Sequence, residues 1–356
     1  GPYAVGRTTA VWSDPAHADP MAPVAGARRE LFAWIWYPAA PPPASQPVGD
    51  YLPAAWCEAM RGGLFVTLLN RDPARIHAHS YADAAVSPAQ RQYPVVLMRP
   101  GLAALTTNYT SLVEDLASHG YVVVGIDAPY RSFAVAFPDG RVIRRAPQNN
   151  ADLVGGAEQK RLATRLTAAW TADLSYALDQ MERLNDSDPS GRFTGRLDVQ
   201  RVGMFGHSLG GATTLEFCHD DARCKAGIDV DGLPLGNVVQ DGVKQPFMFL
   251  LSDHGSESEA ESGPVMRDIR SIYGKLPADG RLMVTLRGAN HYGFSDDTKN
   301  QVVMSIMRGV GRMMDGQRQI AITEHLIDAF FDVHLKGAPR SELESAGAYP
   351  EVEYER

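Results

Sequence analysis

The sequence predicts an α/β protein, a mostly parallel sheet of about eight strands with helices on both faces. Three observations predict it. Six short apolar runs recur between residues 95 and 286, helical patterns separate them, and the third run ends in a serine turn between glycines that opens onto a helix. Strands buried on both faces read as continuous apolar runs rather than alternating ones. Strands that alternate with helices imply right-handed crossovers and parallel pairing.

Taken in order, Arg7–Trp12 and Glu30–Tyr37 carry the β-branched and aromatic residues of an antiparallel lead-in, and the Pro/Ala tract from Pro38 to Pro43 ends the second strand. Tyr51–Asn70 reads as helical or irregular, with Trp56, Met60, Leu64, Phe65, Leu68 and Leu69 as its apolar members. It precedes the first core strand, so residues 51–90 are expected as a peripheral insertion, either packed on the core or serving as a lid or pocket wall. The six core runs are Val95–Met98, Val122–Ile126, Val202–Phe205, Ala226–Val230, Phe247–Leu251 and Leu282–Leu286. Leu162, Leu166, Trp170, Leu174, Leu178 and Met181 share one helical face. Ile322, Leu326, Ile327, Phe330 and Phe331 mark a last helix, which Gly337 and Pro339 stop. Residues 133–151 and 253–263 show no period, and Glu257, Glu259 and Glu261 read as a solvated loop. One domain over residues 1–356 accommodates all of this.

The formal charge of −8 comes without long like-charge blocks, which argues against a nucleic-acid footprint or a polybasic membrane anchor. No apolar run approaches the roughly 20 residues that span a bilayer, so the chain reads as soluble. Gly1-Pro2-Tyr3-Ala4 shows no charged-then-apolar leader, which leaves the compartment to the cysteines. Cys218 and Cys224 lie six apart around a polar turn, a spacing that can close a small disulfide, leaving Cys57 as a buried thiol; two reduced thiols are the alternative. A bridge implies export, to a secreted or periplasmic location. So few cysteines, with no paired C-x-x-C, argue against zinc, and no cofactor is expected.

The chemistry centres on Gly206-His207-Ser208-Leu209-Gly210, a G-x-S-x-G turn between an apolar strand and a helix. A serine hydroxyl is a weak nucleophile at neutral pH. It needs a histidine base and an acid that fixes the tautomer of that base. In strand–turn–helix sites of this kind the order is serine, acid, histidine. Among the downstream histidines, His219 lies between the paired cysteines, His325 and His334 fall in the last helix, and His254 stands where the acid is usual. His291, after the strand Leu282–Leu286, remains as the base. For the acid, Asp253 ends the strand where such acids usually stand and Asp231 ends the one before it. Asp229 falls inside the strand. The oxyanion needs two backbone N–H groups: Leu209, after the nucleophile, and Leu102, in the loop after Val95–Met98, since Pro100 has none.

Tyr93-Pro94-Val95-Val96-Leu97, Pro100-Gly101-Leu102, Leu116–Val123, Gly206–Gly211 and Ala226–Gly232, in that order, resemble the plasma-type platelet-activating factor acetylhydrolases and their bacterial esterase relatives, over roughly residues 90–295. The resemblance implies an α/β-hydrolase fold. It also implies that the acid follows the strand after the nucleophile helix, which favours Asp231, 23 residues past Ser208, over Asp253. The oxyanion donors it implies map to Leu102 and Leu209. The family usually has His-Gly-Leu where this chain has Pro100-Gly101-Leu102, a change that keeps the Leu102 N–H. The expected function is therefore a serine carboxylic ester hydrolase working through an acyl-enzyme on a small-molecule or lipid ester. The alternative is a cutinase-like hydrolase of polyesters or aromatic esters. Tyr109, Tyr130, Trp170, Tyr292 and Phe294 are candidate pocket residues, with a core role equally open to Trp170. A non-catalytic binding module on the same scaffold is the outlying reading, opposed by the presence of Ser208, His291 and two acids.

Overall fold

The computed structural model describes residues 1–60, 76–254, 259–296, 314–346 and 348–355. Twelve strands occur among them: β1 (Ala4–Ala18), β2 (Arg28–Ala39), β3 (Ser80–Ala82), β4 (Tyr93–Arg99), β5 (Val122–Asp127), β6 (Ala134–Ala136), β7 (Val142–Arg144), β8 (Leu197–His207), β9 (Cys224–Val230), β10 (Phe247–Leu251), β11 (Arg281–Leu286) and β12 (Val352–Tyr354). Ten of them form one sheet in the order β12-β11-β10-β9-β8-β4-β5-β2-β1-β3. From β5 to β11 every pairing is parallel, while β2 joins β5, and β1 joins β2, antiparallel. The sheet exceeds the expected eight strands because β3 and β12, three residues each, add to its edges. Three residues are too few to show a period. The pair β6–β7 forms a separate hairpin inside the stretch that showed none.

Helices cover both faces: α1 (Ala54–Met60), α2 (Thr110–Ser118), α3 (Gly156–Asp186), α4 (Leu209–Asp220), α5 (Val238–Asp241), α6 (Glu259–Tyr273), α7 (Gly316–Lys336) and α8 (Ser341–Ala346). The continuous run in β4 explains itself here. Val96 and Met98 enter a core shared with Leu112 and Leu116 of α2 and Phe330 and Phe331 of α7. Val95 and Leu97 enter a second core with Leu174 and Leu178 of α3, Leu215 of α4 and Ile272 of α6. Neighbouring residues of one strand point to opposite faces, and both faces are dry, so neither parity can be polar. Gly337 ends α7 in the left-handed region at φ 73°. Part of the stretch read as solvated loop is helical instead: α6 begins at Glu259, with Pro264 inside it obscuring the period, whereas Glu257 lies outside the described residues.

In the 51–90 insertion, Trp56 of α1 is buried with its ring 4.9 Å from Phe32 and 5.0 Å from Trp34, so this part packs on the core. Leu64, Phe65, Leu68 and Leu69 lie outside the described residues. Cys218, in the last turn of α4, is bridged to Cys224, at the start of β9. Cys57 is half-buried rather than buried, with its Sγ 3.3 Å from the Leu52 carbonyl. Among the described residues, no helix is long and apolar enough to cross a membrane.

Candidate active site

Ser208 stands at the junction of β8 and α4 with φ 57° and ψ −121°. A non-glycine residue there carries strain of about 1–3 kcal/mol, and surrounding structure must hold it. Its N–H donates to the Val230 carbonyl at 2.9 Å, and its own carbonyl accepts the Gly211 N–H at 2.9 Å. The flanking glycines are steric necessities. A Cβ on Gly206 would fall 2.2 Å from the Gly210 carbonyl oxygen, and one on Gly210 would fall 2.1 Å from that of Arg99.

His291 opens a 3₁₀ turn, His291–Phe294, fixed at its start by Asn290, whose side chain accepts the N–H groups of Tyr292 and Gly293 at 3.0 and 3.2 Å. Gln319 of α7 donates to the Asn290 carbonyl at 2.9 Å and ties the turn to the helix layer. The His291 ring lies 4.5 Å from that of His207, the neighbour of Ser208, and its Nδ1 is 2.7 Å from Asp231 Oδ2.

Asp231 follows β9 at φ 52°, with its N–H donating to the Leu250 carbonyl at 2.8 Å. Its carboxylate is buried and surrounded by donors. Besides His291, it accepts the Ser252 N–H at 2.8 Å, the Ser252 hydroxyl at 2.7 Å and His254 Nε2 at 2.8 Å. Burial alone would raise its pKa, but hydrogen bonds from His254 and His291, and their charge when protonated, outweigh that and hold it well below the carboxylate range. Asp231 is thus an anion at neutral pH.

The other two acids are differently employed. Asp253 Oδ2 accepts the Gly288 N–H at 2.8 Å, clasping the loops after β10 and β11. Asp229 accepts the Gly232 N–H at 2.8 Å, while its buried Oδ2 meets no donor. Burial pushes its carboxyl up to about 8, so it is neutral where Asp231 is charged. The remaining histidines also have local partners: His219 lies between Asp220 and Asp241, His325 meets the Tyr349 hydroxyl, and His334 packs on Phe330.

Leu209 is the first residue of α4, so its N–H has no acceptor within the helix. Leu102 packs on the apolar cluster that contains Leu209, and a Cβ on Gly101, just before it, would meet Ser208 Cβ at 3.2 Å. The loop with one expected donor therefore lies against the serine. Of the aromatic candidates, Tyr109, Trp170 and Phe294 are buried, and Trp170 carries the Arg99 guanidinium 3.9 Å above its ring. Tyr130 and Tyr292 are partly exposed, the latter edge-on to His291 at 5.4 Å.

Sequence reasoning missed the links between these parts. His207 Nε2 donates to the His291 carbonyl at 2.8 Å, and its Nδ1 accepts the Tyr109 hydroxyl at 2.7 Å; Tyr109 in turn accepts the Gly101 N–H at 3.3 Å. One chain of hydrogen bonds thus joins the Leu102 loop to the His291 turn. Burial, then the nearby His291 charge, lowers the His207 pKa to about 3, keeping it the neutral ring this pattern requires. Ser252 and His254 were also missed as partners of Asp231. The only sequence signal was that both follow β10, where an acid is usual.

Among the described residues, a group whose atoms could hold a metal ion lies elsewhere. Asp115 and His119 of the α2 end and Asp328 of α7 bring ligand atoms within 4.8 Å of one another, beside a cavity of about 370 Å³. The cysteine count could not reveal such a carboxylate–imidazole group. It touches none of Ser208, His291 or Asp231.

The model of the family "platelet-activating factor acetylhydrolase, isoform II" matches residues 59–150 and 173–338. The chain belongs to this family. Platelet-activating factor acetylhydrolase of Cavia porcellus is 26% identical over 222 residues, covering 58% of this chain and 49% of the relative. The chain thus spans about half the length of that curated relative. Cutinase 2 of Thermobifida cellulosilytica is 27% identical over 212 residues, covering 59% of this chain and 64% of the cutinase. In fold, a ferulic acid esterase from Streptomyces cinnamoneus is similar with a TM-score of 0.77 and 26% identity, over 99% of this chain and 97% of that one. The family match extends on both sides of the segment that carried the sequence resemblance, and the α/β-hydrolase architecture holds, with two more strands than expected.

Proposed function

We propose that the protein is a serine carboxylic ester hydrolase. Ser208 is the nucleophile, His291 the general base, Asp231 the acid, and the N–H groups of Leu102 and Leu209 the oxyanion donors. The observation that carries this reading is the 2.7 Å contact between His291 Nδ1 and the buried Asp231 carboxylate, with the His291 ring 4.5 Å from that of His207, which precedes Ser208 on its strained elbow. His291 takes the hydroxyl proton as Ser208 Oγ attacks the ester carbonyl. The negative charge of the tetrahedral intermediate falls to the two N–H groups. Collapse breaks the ester C–O bond, the alcohol leaves with the proton from His291, and water attacks the acyl-enzyme by the same route. Asp231 fixes the proton on Nδ1 and stabilises the imidazolium. No step calls for a cofactor.

The test is hydrolysis of p-nitrophenyl acetate by Ser208→Ala. A rate at least about 10⁴-fold below wild type is expected, and wild-type turnover would sink the assignment. The substrate class follows the family: short-acyl phospholipid or small esters. A second reading, aromatic or polymeric esters, is supported by the ferulic acid esterase and cutinase likenesses and by the partly exposed Tyr130 and Tyr292. A panel of esters varied in acyl chain and alcohol separates the two. The family match on both sides of residues 151–172 supports treating the chain as one hydrolase unit, with α1 as a wall packed on the core. The Cys218–Cys224 bridge supports export from the reducing cytosol.

A further inference from the structure

We propose that Ser252 and His254 are positioning residues for this chemistry, which by donating to Asp231 share the charge that its carboxylate offers to His291. The inference rests on the ester-hydrolase reading above and deepens it. Asp231 Oδ1 accepts the Ser252 N–H and His254 Nε2, both at 2.8 Å. Oδ2 accepts His291 Nδ1 and the Ser252 hydroxyl, both at 2.7 Å. Each extra donor draws charge from the carboxylate. A carboxylate already satisfied on both oxygens attracts an imidazolium less than a bare one.

The topology makes this arrangement available. Since β10 pairs with β9 in parallel, with Leu250 opposite Val230, the residues that follow β10 emerge beside Asp231. With the acid on β9, the loop after β10 supplies donors to it. Among the described residues, the other titratable groups around the pair leave this reading intact. His207, from β8, is neutral and bonded to Tyr109 and the His291 carbonyl. Asp229 of β9 turns to the Gly232 N–H and Asp253 to that of Gly288. Tyr292 stands edge-on to His291. His254 is the second imidazole on the acid.

The test is the pH profile of kcat/KM for p-nitrophenyl acetate in wild type, His254→Phe, His254→Gln and Ser252→Ala. Rates are normalised to active sites titrated by a fluorophosphonate on Ser208, so that only folded protein is counted. Removing a donor should move the acid limb to higher pH, by roughly half a unit or more in His254→Phe and Ser252→Ala. His254→Gln, which restores a neutral donor, should lie nearer wild type. A limb in His254→Phe that stays put or moves to lower pH overturns the proposal, as does equal displacement in the phenylalanine and glutamine variants. Wild-type protein that neither labels nor hydrolyses would remove the ester-hydrolase reading itself and the inference with it. Labelled wild type with unshifted variants removes the inference alone.

Discussion

Asp173 and Asp231 are both buried carboxylates held by several donors, yet they serve different ends. Asp173 of α3 accepts Arg131 Nε and Nη2 at 2.7 and 2.8 Å and Arg29 Nε and Nη2 at 3.1 and 2.9 Å, and Arg131 also reaches Asp19 at 2.8 Å. Asp231 takes its donors from a serine and two histidines. Burial opposes charge in both, and in both the partners win, so that each carboxyl sits below its ordinary range. The difference lies in what the partner can release. A guanidinium keeps its proton at any working pH, so the Asp173 network staples α3 to β2 and to the loops after β1 and β5. An imidazole can take up and release a proton near neutrality, which is the property the proposed mechanism uses at Asp231.

Four changes would sharpen or break this contrast. The largest effect belongs to His291→Gln, which removes the imidazole partner of Asp231. Turnover of p-nitrophenyl acetate should fall by about 10⁴ or more while the thermal midpoint stays close to wild type. Next comes Asp173→Ala, which strands buried arginines. A loss of about 3–5 kcal/mol is expected in urea unfolding, with activity per titrated active site retained; lost activity without lost stability would dissolve the distinction. Smaller again is the bridge: Cys218→Ser/Cys224→Ser opens a short loop and should cost about 2 kcal/mol in the same assay, on chain-entropy grounds.

The smallest effect concerns Asp229. Its folded pKa, about 8, lies above its unfolded value, so the folded state holds a proton that the unfolded state has lost. Its contribution is present at acid pH and declines as pH rises from about 4 to about 8. The fall in melting temperature between pH 6 and pH 8.5 should therefore be shallower in Asp229→Asn than in wild type. A slope as steep as wild type would show that Asp229 is not the group responsible.

The same contrast explains what could be read in advance. Val95–Met98 and its five companions were legible because the strands are buried on both faces, only Leu282–Leu286 being partly exposed, which leaves continuous apolar runs. Ser208 was legible because the elbow demands glycine at 206 and 210. His291 emerged because every other downstream histidine sat on an element unsuited to a base. The three-residue strands β3 and β12 were not legible, since pairing partners rather than their own pattern make them strands. Nor were Ser252 and His254 as partners of Asp231, or the His207–Tyr109–Gly101 chain. Those contacts depend on side-chain directions at strand ends, where Asp231 itself adopts a positive φ, and spacing along the chain says nothing of that. The usual strand position for the acid points to Asp253. The family resemblance pointed to Asp231, whose carboxylate meets His291, while that of Asp253 holds the Gly288 N–H.

On this reading the carboxylate that orients His291 is the one at the end of β9. The most direct measurement of that claim is kcat for p-nitrophenyl acetate in Asp231→Asn beside Asp253→Asn, each normalised to folded protein quantified by circular dichroism and thermal unfolding. The account expects a fall of about 10⁴ in Asp231→Asn and a change within about threefold in Asp253→Asn. The reverse pattern, with Asp231→Asn near wild type and Asp253→Asn nearly inactive, would contradict it.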